Sequence, residues 1–366
     1  MKRIPAVLVF ALSVCSPLTA QQNPLARPGP LAHTFSIVAR DPQTGEMGVA
    51  VQSHWFCVGC IVTWAEAGVG AVATQSFVEP AYGRDGLLLM RQGVGAPEAL
   101  ARLLKEDKAR NVRQVAFVDA QGRLGTWTGA KNIPAAGDLV RTPSGTRPRT
   151  VTIEGAPEDG VLHIGEGFSV QANMMLSDRI WPAMAQAFRE TTGDLADRML
   201  AALDAGQAAG GDARGRQSAA LIIVRGKSTG KPWQDRIFDL RVDDADYPLK
   251  ELRRLVALQR AYNHMNAGDL ATEKGDREGA LREYGAAEKI AAATPGILPS
   301  RLNEMQFWHA VALVNMGRTD EALPIFRRVF AADRNWALMA ERLPNVGQLP
   351  DDPEVIRRIL AQSPGK

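Results

Sequence analysis

The sequence predicts an α+β fold in which two packed sheets are covered by helices, followed by a small all-helical region. Three observations predict it. Between residues 34 and 242, strand-like patterns arrive in groups and helical patterns in pairs between them; a doubly wound parallel sheet would alternate them singly. From Pro248 onward the strand patterns stop and the character turns helical. Within that tail one short frame occurs twice, which is the mark of a helical repeat.

The strands justify themselves in order. Residues 34–40 (Thr-Phe-Ser-Ile-Val-Ala-Arg) alternate and are β-branched, which favours a strand. Asp41-Pro42-Gln43-Thr44-Gly45 is turn chemistry, and 47–52 returns as the second arm of a hairpin. Further strands are expected at 61–67 and 71–76. Two helices follow, the first carrying Leu87, Leu88 and Met90, the second Ala99, Leu100, Leu103 and Leu104. The order then repeats: strands at 112–119, 123–128 and 167–173, helices at 178–190 and 194–204, then strands at 218–224 and 236–242. Residues 129–165 break the rhythm. Seven glycines and prolines, from Gly137 to Gly160, interrupt any regular element, so this stretch reads as a long inserted loop with one short strand at 150–153.

In the tail, Gly275-Asp276-Arg277-Glu278-Gly279-Ala280-Leu281-Arg282-Glu283-Tyr284 matches Gly317-Arg318-Thr319-Asp320-Glu321-Ala322-Leu323-Pro324-Ile325-Phe326. Glycine permits a tight turn between helices, and alanine lets them pack closely. The frame predicts tetratricopeptide-like helix pairs over 248–366, with Ala280 and Ala322 facing their partner helices and Tyr284 and Phe326 in the core. Two repeats are too few for a free-standing solenoid.

The chain has 366 residues, 45% of them hydrophobic, enough for a real core and for two or three domains. Its net charge is only +3, from 43 basic and 40 acidic residues. Nothing in that balance points to nucleic acid. The N-terminus stands apart. Lys2 and Arg3 precede an apolar run at 6–14, and Pro17-Leu18-Thr19-Ala20 makes a small-residue exit. This is the layout of a secretory signal peptide over 1–20. It implies an exported bacterial protein, periplasmic or secreted, with no membrane span once the signal is removed. Residues 21–32 read as a flexible leader, and the folded domain is expected over 33–247.

Beyond the signal lie two cysteines, Cys57 and Cys60. Their spacing admits a redox pair or a disulfide. Their neighbours, however, read as strand and bend rather than the helix start that activates such thiols, so small buried hydrophobes are the default. The five histidines are scattered, none at metal-ligand spacing; no metal and no cofactor is expected.

Several strings carry a resemblance. They are Thr34-Phe35-Ser36-Ile37-Val38-Ala39-Arg40-Asp41-Pro42, Trp64-Ala65-Glu66-Ala67-Gly68-Val69-Gly70-Ala71-Val72-Ala73-Thr74-Gln75, Gly165-Glu166-Gly167-Phe168-Ser169-Val170-Gln171, and Ala209-Gly210-Gly211-Asp212-Ala213-Arg214-Gly215-Arg216-Gln217-Ser218. Together they resemble the family called domain of unknown function 1028, over about residues 33–250. That family looks like a member of the N-terminal-nucleophile hydrolase superfamily, which implies a four-layer αββα sandwich. Two departures are visible: where the family has Gln-Gly-Asn, this chain has Gln171-Ala172-Asn173, and the stretch 129–165 looks expanded beside its relatives.

The resemblance implies an amide-bond hydrolase acting on a small amide or peptide. Thr34 would be the nucleophile and its own freed α-amine the base. That amine has an ordinary pKa of about 7.7–8.0, near enough to neutrality for the task. A signal cut after Ala20 leaves Gln21 at the terminus, so a second cut at His33–Thr34 is required. Glu66, in apolar company at a strand end, is a candidate to tune the amine. Asn173, Ser53 and Gln75 also fall at strand ends and are candidates for oxyanion or substrate donors. Asp212, Arg214, Arg216 and Gln217 form the densest polar group, suited to a substrate carboxylate or to an internal ion pair. The alternative is a non-catalytic exported scaffold whose helical repeats recruit a protein partner.

Overall fold

The computed structural model describes residues 31–32, 34–142, 149–153 and 161–364. The signal-peptide reading and most of the leader lie outside the described residues. Strands β1 (Leu31–Ala32), β2 (Thr34–Arg40), β3 (Met47–Ser53), β4 (Thr63–Glu66) and β5 (Gly70–Phe77) come first. Helices α1 (Ala81–Arg91) and α2 (Ala96–Glu106) follow. Six strands come next: β6 (Arg113–Asp119), β7 (Arg123–Thr128), β8 (Gly137–Val140), β9 (Arg149–Thr152), β10 (Val161–Glu166) and β11 (Phe168–Ala172). Helices α3 (Ile180–Glu190) and α4 (Leu195–Ala208), strand β12 (Ser218–Val224), the short helix α5 (Pro232–Asp235) and strand β13 (Arg236–Val242) close this part.

These strands make two antiparallel sheets. One runs β1-β5-β6-β7-β10-β9, with β4 also paired to β5; the other runs β13-β12-β3-β2-β11-β8. Alternation in the sequence decides which side chain faces which layer. On β2, Phe35, Ile37 and Ala39 join the core under α3 and α4, while Val38 packs between the sheets with Val49, Val51, Ala71 and Ala116. On the far side, α1 and α2 bury Leu87, Met90 and Leu100 against Phe117 and Trp127 of the first sheet. Helices therefore cover both outer faces of the paired sheets.

Within 129–165 the short strand expected at 150–153 is present as β9, but the rest is not the inserted loop that its glycines and prolines suggest. The stretch holds β8 at the edge of one sheet and β9–β10 at the edge of the other. The breakers lie largely between these strands. Edge strands tolerate such short, interrupted segments because only one side must pair.

The remaining helices are α6 (Pro248–Glu273), α7 (Arg277–Ala293), α8 (Pro299–Asn315), α9 (Thr319–Ala332), α10 (Asn335–Arg342) and α11 (Pro353–Leu360). Ala280, Tyr284, Ala322 and Phe326 are all buried. Helix α6 belongs to two cores. Its Leu249, Leu252 and Val256 pack beneath the second sheet, and its Ala261 and Met265 pack with Ala280, Tyr284 and Ala287 of α7. Among the described residues no helix is long and apolar enough to cross a membrane.

Cys57 and Cys60 form a disulfide, with Cys57 half-buried and Cys60 exposed. The expectation of small buried hydrophobes is thus corrected. The chain leaves β3 into a one-turn 3-10 segment, Val58–Cys60, which brings the two Cα atoms to 5.6 Å.

Candidate functional site

At one end of the sandwich the space between the sheets turns from apolar to polar. Thr34 opens β2 in the centre of its sheet and pairs with Ser53 at the end of β3. Both side chains share the inward face with Val38 and Val51. Two residues upstream, Ala32 pairs with Ser76 of β5 in the opposite sheet. Thr34 and Ser53 are each 0% exposed.

The Thr34 carbonyl accepts three hydrogen bonds. The backbone N–H of Asn173 donates at 3.1 Å, Gln75 Nε2 at 3.1 Å and Asn173 Nδ2 at 3.4 Å. Both amides are held in turn by Gln114 Oε1, which accepts from Gln75 at 2.7 Å and from Asn173 at 2.8 Å. Gln114 Nε2 donates to the carbonyl of Ala172 and to Thr128 Oγ1. A second chain runs from Gln171 Nε2 to Ser36 Oγ, and from that hydroxyl to Gln75 Oε1. Thr128 is half-buried and the other side chains are buried. A buried amide left unbonded is costly, so this network fixes the Thr34 backbone firmly.

The residues after two of these amides are backbone outliers. Ser76 (φ 72°) and Met174 (φ 59°) lie in the left-handed region, which non-glycine residues rarely occupy. Such conformations concentrate where the surrounding structure over-determines a site. Among the described residues, the buried Ser76 hydroxyl has no hydrogen-bond partner.

The structure brings together Thr34, Ser53, Gln75 and Asn173, and adds Gln114, Ser36 and Gln171, which sequence reasoning passed over. Their signal was present: a lone amide or hydroxyl on the alternate face of an otherwise apolar strand. Gln75 and Asn173, candidates from the sequence for oxyanion or substrate donors, spend their side-chain N–H groups on Thr34 and Gln114.

Glu66 does not join the site, and its expected role beside Thr34 is corrected. It pairs with Gly70 at the start of β5, whereas Thr34 is held by Gln75, five residues along that strand. The separation is about 17 Å by strand rise. Its carboxylate instead takes a bidentate contact from Arg91, with Arg91 Nε at 2.7 Å. Sequence marks a strand end but not which end of the sheet it will occupy.

The Gly-rich loop divides. Asp212 is buried and braces the rim: it accepts from the backbone of His54 at 3.1 Å and from Arg214 through Nε (3.0 Å) and Nη2 (2.6 Å). It also bridges to Met175, just past Asn173. Arg216 lies over the Tyr247 ring at 4.1 Å, and Gln217 donates to Asp244. These last two side chains serve the turn before α6, not Thr34. Ala172, the departure from the family string, turns its Cβ into the core beneath α3 and α4, away from the polar network.

The sequence profile of the "family of unknown function (DUF1028)" matches residues 34–146 and 144–252. The chain belongs to this family. A DUF1028 protein of known crystal structure, SPO2555 from Silicibacter pomeroyi, is 27% identical; the match covers 61% of this chain and 87% of that one, with a TM-score of 0.47. No curated protein matches the chain.

Proposed function

We propose that this DUF1028 protein is a latent, exported amide-bond hydrolase of the N-terminal-nucleophile type, activated by cleavage of the His33–Thr34 bond. The observation that carries this reading is the triple hydrogen bond onto the Thr34 carbonyl. A new terminus would fray unless something held it. Here the carbonyl of the residue that must become the terminus is already held from β5 of the facing sheet and from the end of β11. Paired antiparallel sheets with helices on both outer faces suit the αββα sandwich of that superfamily.

After cleavage the α-amine takes the proton of Thr34 Oγ as the oxygen attacks a substrate carbonyl. The C–N bond of the substrate breaks, the leaving amine takes the proton, and water then releases the acyl group from Thr34. Gln75, Asn173 and Gln114 position the nucleophile. Glu66 has no part in the step. The tail, with its two matched frames, is read as tetratricopeptide-like and offers a surface for a protein partner.

The non-catalytic scaffold is favoured by one specific observation: Thr34 is wholly buried in the uncut chain. A protein cut to begin at Thr34 decides between the two. It should be labelled on the Thr34 oxygen by a β-lactone, with mass spectrometry locating the adduct. The uncut chain and Thr34→Ala should stay unlabelled. Absence of labelling in a folded, cut protein would leave the scaffold.

A further inference from the structure

A second cleft lies at the opposite end of the sandwich, where β2 finishes at Arg40, six residues and about 20 Å from Thr34. Its volume is about 400 Å³, and four guanidinium groups line it: Arg40, Arg141, Arg189 and Arg198. Among the described residues, Glu166 is the only carboxylate in the lining. Asp41 lies alongside and bonds Arg198 at 3.2 Å, and Arg198 also stacks over the Phe188 ring. Among the described residues, Arg40, Arg141 and Arg189 have no ion pair, and Arg40 Nε is buried without a hydrogen-bond partner. Counting Glu166 and Asp41, the cleft keeps two net positive charges.

The frame around these groups is rigid. The backbone N–H of Arg40 donates to Gly167 at 2.7 Å, that of Gly167 to Gly122 at 2.8 Å, and that of Arg141 to Phe168 at 3.0 Å. Three strand ends are thereby locked together. Gly122 and Gly167 both sit at φ 81°. A Cβ at Gly167 would stand 3.3 Å from the Arg141 guanidinium, so the absence of a side chain there leaves the floor open. Like charges gathered in a partly enclosed cleft repel one another and focus the field on an incoming anion. A solvated surface arginine would not keep its Nε buried and unsatisfied, as Arg40 does. Planar guanidinium forks match the paired oxygens of phosphoryl and carboxylate groups.

We propose that this cleft binds a small oxyanion carrying at least two negative charges, a phosphoryl group or a polycarboxylate, independently of the chemistry assigned to Thr34. Calorimetric titration of the full chain with inorganic phosphate and, separately, with citrate tests it, with sodium chloride at matched ionic strength as the control. Saturable binding of either anion is expected, and which one binds identifies the source. Arg141→Gln and Arg189→Gln, at exposed positions where folding is not at stake, should each weaken it by about tenfold, the loss of one charge-assisted contact. Arg40→Lys should bind more weakly than the parent, because an ammonium cannot form the fork. If neither anion binds beyond the chloride control, or if the Arg141→Gln/Arg189→Gln double variant binds as tightly as the parent, the proposal is overturned.

Discussion

Residues in this protein act through what they bond, and Gln114 shows it best. One side chain accepts from both amides that hold Thr34 and donates to neighbouring β7 and to β11 of the facing sheet. Leucine has nearly its volume but none of its hydrogen bonds. Gln114→Leu would strand two buried N–H donors at about 1–3 kcal/mol each. We expect a loss of about 3 kcal/mol in urea unfolding, and a loss under 1 kcal/mol would mean the network relaxes without it. The same network reaches the surface. Gln114 donates to Thr128, Thr128 Oγ1 donates to Asp138 at 2.6 Å, and Asp138 meets His163 Nδ1 at 2.6 Å. That hydrogen bond to Asp138 raises the His163 pKa, with burial opposing. A raised histidine pKa stabilises the fold fully below the unfolded value of about 6.5, and the gain fades as pH climbs through the higher folded value. The stability advantage of the parent over His163→Gln should therefore shrink between pH 6 and pH 8.5. An advantage constant across that range would show that the imidazole charge contributes nothing.

At the scale of elements, alternation makes β2, β3, β5, β7 and β12 legible within about a residue, because each has one face in a helix-covered core and the other between the sheets; β13 is as legible because its buried Phe238 and Val242 alternate with exposed Asp239 and Arg241. Strand β9 is legible as the short strand at 150–153, whereas β8 and β10 lie among glycines and prolines where no pattern marks them, and sheet pairing holds them. Glu66 was misplaced for a related reason: the register that sends it away from Thr34 is a property of two strands, not of one. Close packing was equally silent. Gly83 in α1 reads as a weak spot in a helix, yet a Cβ there would fall 2.2 Å from the Trp64 ring. The indole cannot easily yield, since Trp64 Nε1 donates to the carbonyl of Ile61 at 3.1 Å. Alanine would gain up to about 1 kcal/mol in helix propensity, while overpacking costs about 1–3 kcal/mol. Gly83→Ala should thus lower the thermal midpoint, and a raised midpoint would show that propensity outweighs the contact.

For the molecule as a whole, the change of pattern at Pro248 was visible in the sequence, but it does not mark a clean seam. The first turns of α6 close the core beneath the second sheet through Leu249, Leu252 and Val256. Arg260 farther along binds Asp194 at 2.7 Å and Asp197 at 3.0 Å at the start of α4. Burying three such apolar side chains is worth about 1.5–3 kcal/mol each, which together approaches the whole stability of an ordinary domain, about 5–15 kcal/mol. A chain ending at Tyr247 should therefore unfold at much lower urea than the full protein and bind a hydrophobic dye. One ending at Glu273 should keep most of the stability of the sandwich, although it bares Ala261 and Met265, which face α7. Equal urea midpoints for the two truncations would mean that α6 belongs to the helical tail alone. A large gap would make it a shared beam, through which a partner bound to the tail could bear on the second sheet.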